Sequence, residues 1–275
     1  MYYDWTREKL SLLNFILSQI TMRNIPDLHN MESERSLPEI TSNYDLEKDA
    51  YNWRCVMNSF TNWRWYETMS KDDRNILSQI KWLSQQEANK ILFPYLDQKY
   101  HNNREYIEEA VEDIKNLLDK QKKMIFQNME KLTKYPILRN DFYLYFTTCL
   151  RWPYNWRTGE IWIFDTSQKE WRERGWAQSF THELLHMQTH KYYENEDPMK
   201  QLTPQQFNII KESLTFLLNH EFPGVNMRKD RWYPQHQEFR KILEDYRLSC
   251  WSKKDFKDLI HFWCQYLQNL YPQAQ

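Results

Sequence analysis

Two histidines four residues apart, with a glutamate directly after the first, are the residues of this chain best suited to chemistry: His182-Glu183-Leu184-Leu185-His186. On a helix, positions i and i+4 lie one turn apart on the same face, so both imidazoles can reach a single ion. Glu183 points where it meets a water on that ion and not the ion itself. The chemistry needs this division of labour. Two neutral imidazoles hold Zn²⁺, the ion lowers the pKa of its water, and a carboxylate takes the proton. A helical wheel counted from Trp176 gathers His182, His186, Ser179, Thr189, Tyr193 and His190 on one polar arc. Trp176, Phe180, Leu184 and Met187 share the apolar side, as expected of a buried helix beneath a cleft.

A catalytic zinc needs a third protein ligand. His190 lies two turns from His182, roughly 12 Å along a straight helix, too far to share the ion. Glu194 fails for the same reason, and Glu196 or Asp197 would serve only if the helix ended early. Glu212 is the stronger candidate, because Pro198 and Pro204 bracket a connection that can bring a second helix back beside the first. On that helix Asn208, Glu212, Thr215 and Asn219 form a narrow polar strip between two apolar faces. A carboxylate so placed is costly to bury unless it is paired or bound to a metal. Pairing with Lys211 at the surface is the plainer alternative.

His182-Glu183-Leu184-Leu185-His186 followed by Lys211-Glu212-Ser213-Leu214 resembles the gluzincin pattern of the zincin metallopeptidases. The likeness spans roughly residues 141 to 221. It implies Zn²⁺ held by His182, His186 and Glu212, with Glu183 as general base in the hydrolysis of peptide bonds. It also implies a tyrosine or histidine that stabilises the oxyanion, for which Tyr233 and His236 in DRWYPQHQ are candidates by residue type and position. In similar enzymes an edge strand pairs with the extended substrate, a role open here to DFYLYFTTCL or EIWIF. Ser213 stands where many such families carry Gly or Ala. A metzincin pattern, H-E-x-x-H-x-x-G-x-x-H, is excluded, because Thr189 and Tyr192 stand where it needs Gly and His.

The elements that must hold these residues are mostly helices. Leu10, Leu13, Phe15, Leu17 and Ile20 recur at helical spacing, 24–42 reads as a loop, and Leu46 to Met69 reads as helical. Asp72-Asp73 opens a helix that Pro94 should stop, and the longest helix should cover Asn103 to Thr133. From Asp141, DFYLYFTTCL and EIWIF read as two antiparallel strands joined by a turn-bearing connection around Pro153 and Gly159. The metal-binding helix starts at Trp176, and helices follow near 204–221, 237–248 and 253–270. The expected fold is α+β and predominantly α-helical. Its zincin-like core, 141–275, would carry a small antiparallel sheet, and 1–140 would form a helical region walling that core.

Composition narrows the partners. Lys+Arg number 37 against 38 Asp+Glu, so no overall basic field favours nucleic acid or an anionic membrane. The 4 cysteines form no C-x-x-C pair, and the apolar run at the N-terminus is interrupted by Asn14, Ser18 and Gln19. A cytoplasmic enzyme with a peptide or protein substrate, with no nucleic acid and no membrane, is the expectation. The rival is a non-catalytic helical binding module with a structural or absent metal, its aromatic cluster NWRWY at 62–66 serving a protein partner.

Overall fold

The computed structural model describes residues 36–58, 69–149, 153–164, 169–227, 229, 237–250 and 255–270, and the chain there is mostly helical around one small sheet. The helix expected over residues 10–20 and the NWRWY cluster lie outside these residues. Four strands make the sheet: β1 (Glu39–Tyr44), β2 (Asp141–Thr147), β3 (Tyr154–Asn155) and β4 (Glu160–Phe164), in the order β1-β2-β4-β3. Both β1 and β4 run parallel to β2, and β3 alone is antiparallel, to β4.

The parallel pairing corrects the antiparallel expectation. Between β2 and β4 the chain reverses twice, because Tyr154-Asn155 runs back along β4 before a turn at 156–159 reverses it again. Gly159 takes a φ of 77° in that turn, a conformation that favours glycine. A two-residue strand carries no alternation to read, so the second reversal is invisible in the sequence. One consequence concerns substrate pairing. β2 and β4, the strands expected to offer a free edge, are interior neighbours, and the edges of the described sheet are β1 and β3.

β1 occupies part of the stretch 24–42 that reads as a loop. EITSNY alternates only between exposed and half-buried positions, and its partner β2 is about a hundred residues away, in register from Glu39↔Asp141 to Tyr44↔Phe146. An edge strand of this kind is made by its partner more than by its own residues.

Between β1 and β2 lie α1 (Leu46–Asn58), α2 (Lys71–Ile80), α3 (Gln85–Asn102) and α4 (Arg104–Thr133). The helix opening at Asp72-Asp73 ends at Ile80, not at Pro94. Trp82 takes a φ of 71° there, and Ser84 caps a new helix through a reciprocal pair of hydrogen bonds with Glu87. Pro94 sits inside α3, where Ala88, Leu92 and Leu96 bury against α1 and α2 and hold the helix past it. α4 matches its expected span. Its buried residues Ile114, Phe126 and Met129 belong to the same apolar core as Phe142 of β2 and Phe180 of the helix that carries His182 and His186.

Buried Asp49 ties α1 to the end of β2. Its carboxylate accepts hydrogen bonds from Thr147 Oγ1 at 2.6 Å, Thr148 N at 3.1 Å and Thr148 Oγ1 at 2.7 Å. Burial pushes its pKa up to about 6 against the pull of those donors. Asp49→Ala would leave the buried Thr147 hydroxyl and the half-buried Thr148 N–H and hydroxyl without this acceptor and is expected to cost about 3 kcal/mol in urea unfolding. A loss under about 1 kcal/mol would show that water replaces the carboxylate. Among the described residues no helix is long and apolar enough to cross a membrane.

Candidate metal centre

The helix carrying the two histidines, α5 (Lys169–Tyr192), starts seven residues before the expected Trp176. From Gly175 to Thr189 almost every residue is buried, on all sides of the helix and not on one apolar stripe. Its hydroxyls are satisfied locally: Ser179, Thr181 and Thr189 donate to the carbonyls of Gly175, Ala177 and Leu185 one turn back. Gln188 accepts from Leu138 N and donates to Pro136 O, and Tyr193 donates to Thr133 O at 2.7 Å. These bonds fix the rotation of α5 against the end of α4.

The second helix, α6 (Pro204–Leu214), is followed by a 3₁₀ turn (Thr215–Leu217) and α7 (Leu218–Glu221). Thr203 and Gln206 cap α6 reciprocally, with Pro204 at its first turn. Two further helices, α8 (Gln237–Cys250) and α9 (Phe256–Leu270), close the fold near their expected spans. α6 packs on α5 and brings Glu212 to the histidines.

Glu212 Oε2 lies 3.7 Å from His182 Nε2 and 3.5 Å from His186 Nε2. One ligand atom from each of the three residues falls within 4.8 Å of the others. Ligands about 2.0 to 2.1 Å from a tetrahedral zinc stand about 3.4 Å apart, so the spacing suits such an ion after small side-chain adjustment. His186 supplies a second, independent sign. It is 1% exposed and neither ring nitrogen has a hydrogen-bond partner. At 3.5 Å and without alignment the Glu212 contact is not a hydrogen bond, so the buried imidazole is left with an acceptor that an ion would use.

The ionisation states are those a metal needs. Burial lowers the His186 pKa to about 3, which keeps the ring neutral. Burial works against the Glu212 carboxylate, but the imidazoles of His186 and His182 and the Lys211 ammonium outweigh it and hold its pKa well below the usual range. A stability consequence follows with a definite sign. The unfolded chain protonates His186 from about pH 6.5 downward while the folded ring resists, so acid favours the unfolded state across that interval. The metal-free protein is therefore expected to lose urea stability as pH falls from about 6.5 to about 4. His186→Ala should flatten that slope, and the comparison separates His186 from Asp49, whose raised pKa acts in the opposite sense. Equal slopes in both proteins would contradict the buried neutral imidazole.

Lys211 and Tyr154 complete the surroundings. The Lys211 ammonium is buried, 3.3 Å from Glu212 Oε1, and donates to Tyr154 Oη at 3.0 Å. Burial alone would lower its pKa, but Tyr154, Glu212 and Glu183 raise it, so it stays charged. Tyr154 lies in β3, its ring 5.6 Å from that of His186, and burial pushes its phenol up to about 12. Tyr154 Oη is 2.8 Å from His190 Nε2, and His190 Nδ1 is 2.9 Å from Glu194 Oε2. Lysine only donates and carboxylate only accepts, so the chain of bonds runs in one direction. Lys211 donates to Tyr154, Tyr154 to His190 Nε2, and His190 Nδ1–H to Glu194. Glu183 is buried beside the triad, close enough for its charge to act on both Lys211 and Tyr154.

The three residues expected to share an ion are thus together, with Glu183 next to them. His190 and Glu194 pair with each other, Glu196 takes Tyr135 and Lys257, and Asp197 takes Lys200, so these alternatives are engaged elsewhere. Tyr233 and His236 lie outside the described residues. Sequence reasoning missed Tyr154, one of 18 tyrosines, whose only signal is its place in the turn-bearing connection. It also set Lys211 at the surface, because buried lysines are rare. No family model, no curated protein and no solved structure matches the chain.

Proposed function

We propose that this chain is a zinc-dependent metallopeptidase of gluzincin-like type, with His182, His186 and Glu212 as metal ligands and Glu183 as general base. The observation that carries the reading is the buried triad, with its orphaned neutral imidazole and its ionised carboxylate, beside a further buried carboxylate. Two imidazoles and a carboxylate suit zinc. Zinc held there would polarise the scissile carbonyl and acidify a water. Glu183 would be the base that takes a proton from water and gives it to the leaving amine. Lys211 positions Glu212 by engaging Oε1, the oxygen turned away from the imidazoles, and Tyr154 holds Lys211 in place.

β3 is the edge strand whose tyrosine reaches the triad, so an extended substrate is placed along β3. The test is incubation of the zinc-loaded full chain with a mixed peptide library, followed by mass spectrometry. Cleavage that a zinc chelator abolishes and added zinc restores supports the reading. An intact library after prolonged incubation with fully loaded protein counts against it.

A further inference from the structure

Beside the triad, between the end of α5 and the start of α6, lies a cavity of about 440 Å³ that none of the metal ligands lines. Its walls include Met199, Leu202 and Phe207 on the apolar side and His190, Asn208 and Lys211 on the polar side. The volume is at the small end of ligand sites, which suits the end of a short chain better than the middle of a long one.

Lys211 joins the cavity to the triad, because it lines the one and touches Glu212 of the other. An ammonium has three donors, and Glu212 and Tyr154 take two of them. Lys211 also lines the cavity, so an acceptor placed there meets its ammonium. The charge balance gives that acceptor a sign. With a divalent ion bound, the buried groups comprise the ion, two carboxylates (Glu183 and Glu212) and one ammonium, which leaves a net positive charge. Burial lowers the His190 pKa, so that ring adds no charge; Glu194 and Lys200, which also line the cavity, offset one another, and the Glu194 side chain, paired with His190, is 39% exposed. An uncompensated buried charge favours an anionic ligand.

Distance fixes where the anion lies on a substrate. His182, His186 and His190 occupy successive turns of α5, so the cavity wall at His190 is about 6 Å beyond His186 along the helix. An extended chain advances about 3.5 Å per residue. One turn therefore spans one or two residues.

Resting on the metallopeptidase reading, we infer that this cavity binds the free C-terminal carboxylate of a short peptide, one or two residues beyond the scissile carbonyl, with Lys211 as its anchoring cation. The apolar wall takes the neighbouring side chain. Hydrolysis adds water across the C–N bond, the leaving amine gains a proton, and the terminal carboxylate is unchanged. The protein would then act as an exopeptidase trimming C-terminal residues.

The experiment is calorimetric binding of N-acetyl-leucine and N-acetyl-leucinamide to the zinc-loaded full chain, with zinc content measured on each sample. The carboxylate is expected to bind at least tenfold more tightly than the amide. Lys211→Met should abolish that preference and Lys211→Arg should restore most of it. Equal binding in the wild type overturns the inference. So does a preference that survives in a zinc-replete Lys211→Met, since the ion itself would then hold the carboxylate. If Lys211→Met does not fold, peptides with free and amidated C-termini decide: a ratio in kcat/KM of a hundredfold or more, carried by KM, is expected, and a ratio near one overturns the inference. Cleavage of amidated peptides at the same rate would leave the metallopeptidase reading standing. A Lys211-dependent carboxylate preference with no peptide cleaved would do the reverse.

Discussion

Glu183→Gln is expected to retain one zinc per chain and to lose peptidase activity by about three orders of magnitude, the middle of the range for a positioned general base. Zinc is retained because Glu183 is not among the three residues whose ligand atoms converge. Activity is lost because glutamine keeps the size of the side chain and one acceptor oxygen but cannot take a proton. Glu183 is buried, and its charge acts on the Lys211 ammonium and the neutral Tyr154 phenol, so removing it also raises the local positive potential. That change would draw an anionic substrate in more tightly, so the defect should fall on kcat and leave KM unchanged or lower. The readout is kcat and KM beside metal content. Activity within tenfold of wild type would remove Glu183 from the chemistry, and loss of zinc would make it a ligand.

Glu212→Ala carries the second large effect, and it acts in two places. One of three protein ligands disappears, and zinc affinity should fall by about a thousandfold or more in competition with a chromophoric chelator, beyond the 10-to-100-fold typical of an outer-shell change. At the same time the Lys211 ammonium, 8% exposed, loses the carboxylate 3.3 Å from it. Breaking a buried pair from one side costs about 3 to 5 kcal/mol, so the metal-free variant should unfold at clearly lower urea. Glu212→Ala combined with Lys211→Met should recover much of that stability but none of the zinc affinity. A single variant that binds zinc normally would move the third ligand elsewhere; unchanged stability would mean that Lys211 finds water.

How much of this was legible in the sequence depends on how local each signal is. α4 was readable because its periodicity lies within one element, whereas the histidine helix, buried on all sides, was readable from the spacing of its two histidines and not from an apolar stripe. Glu212 was readable because a carboxylate between two apolar faces needs a reason to be there. β1 was not, since a polar edge strand takes its shape from a partner a hundred residues away. Two features of the sheet were hidden by a two-residue strand, β3, which reverses the chain without leaving a pattern. Pro94 misled because the rule that proline ends helices assumes a helix without tertiary support, and α3 is packed against α1 and α2. Lys211 and Tyr154 could not be found by type or spacing, for their importance comes from three elements meeting: β3, α5 and α6.

Metal content tests the central claim most directly. Full-length protein purified without chelator or nickel should carry one zinc by mass spectrometry, and His186→Ala, prepared beside it, should carry none. A wild-type protein that holds no zinc even after zinc addition, or a His186→Ala variant that holds as much as wild type, would contradict the account.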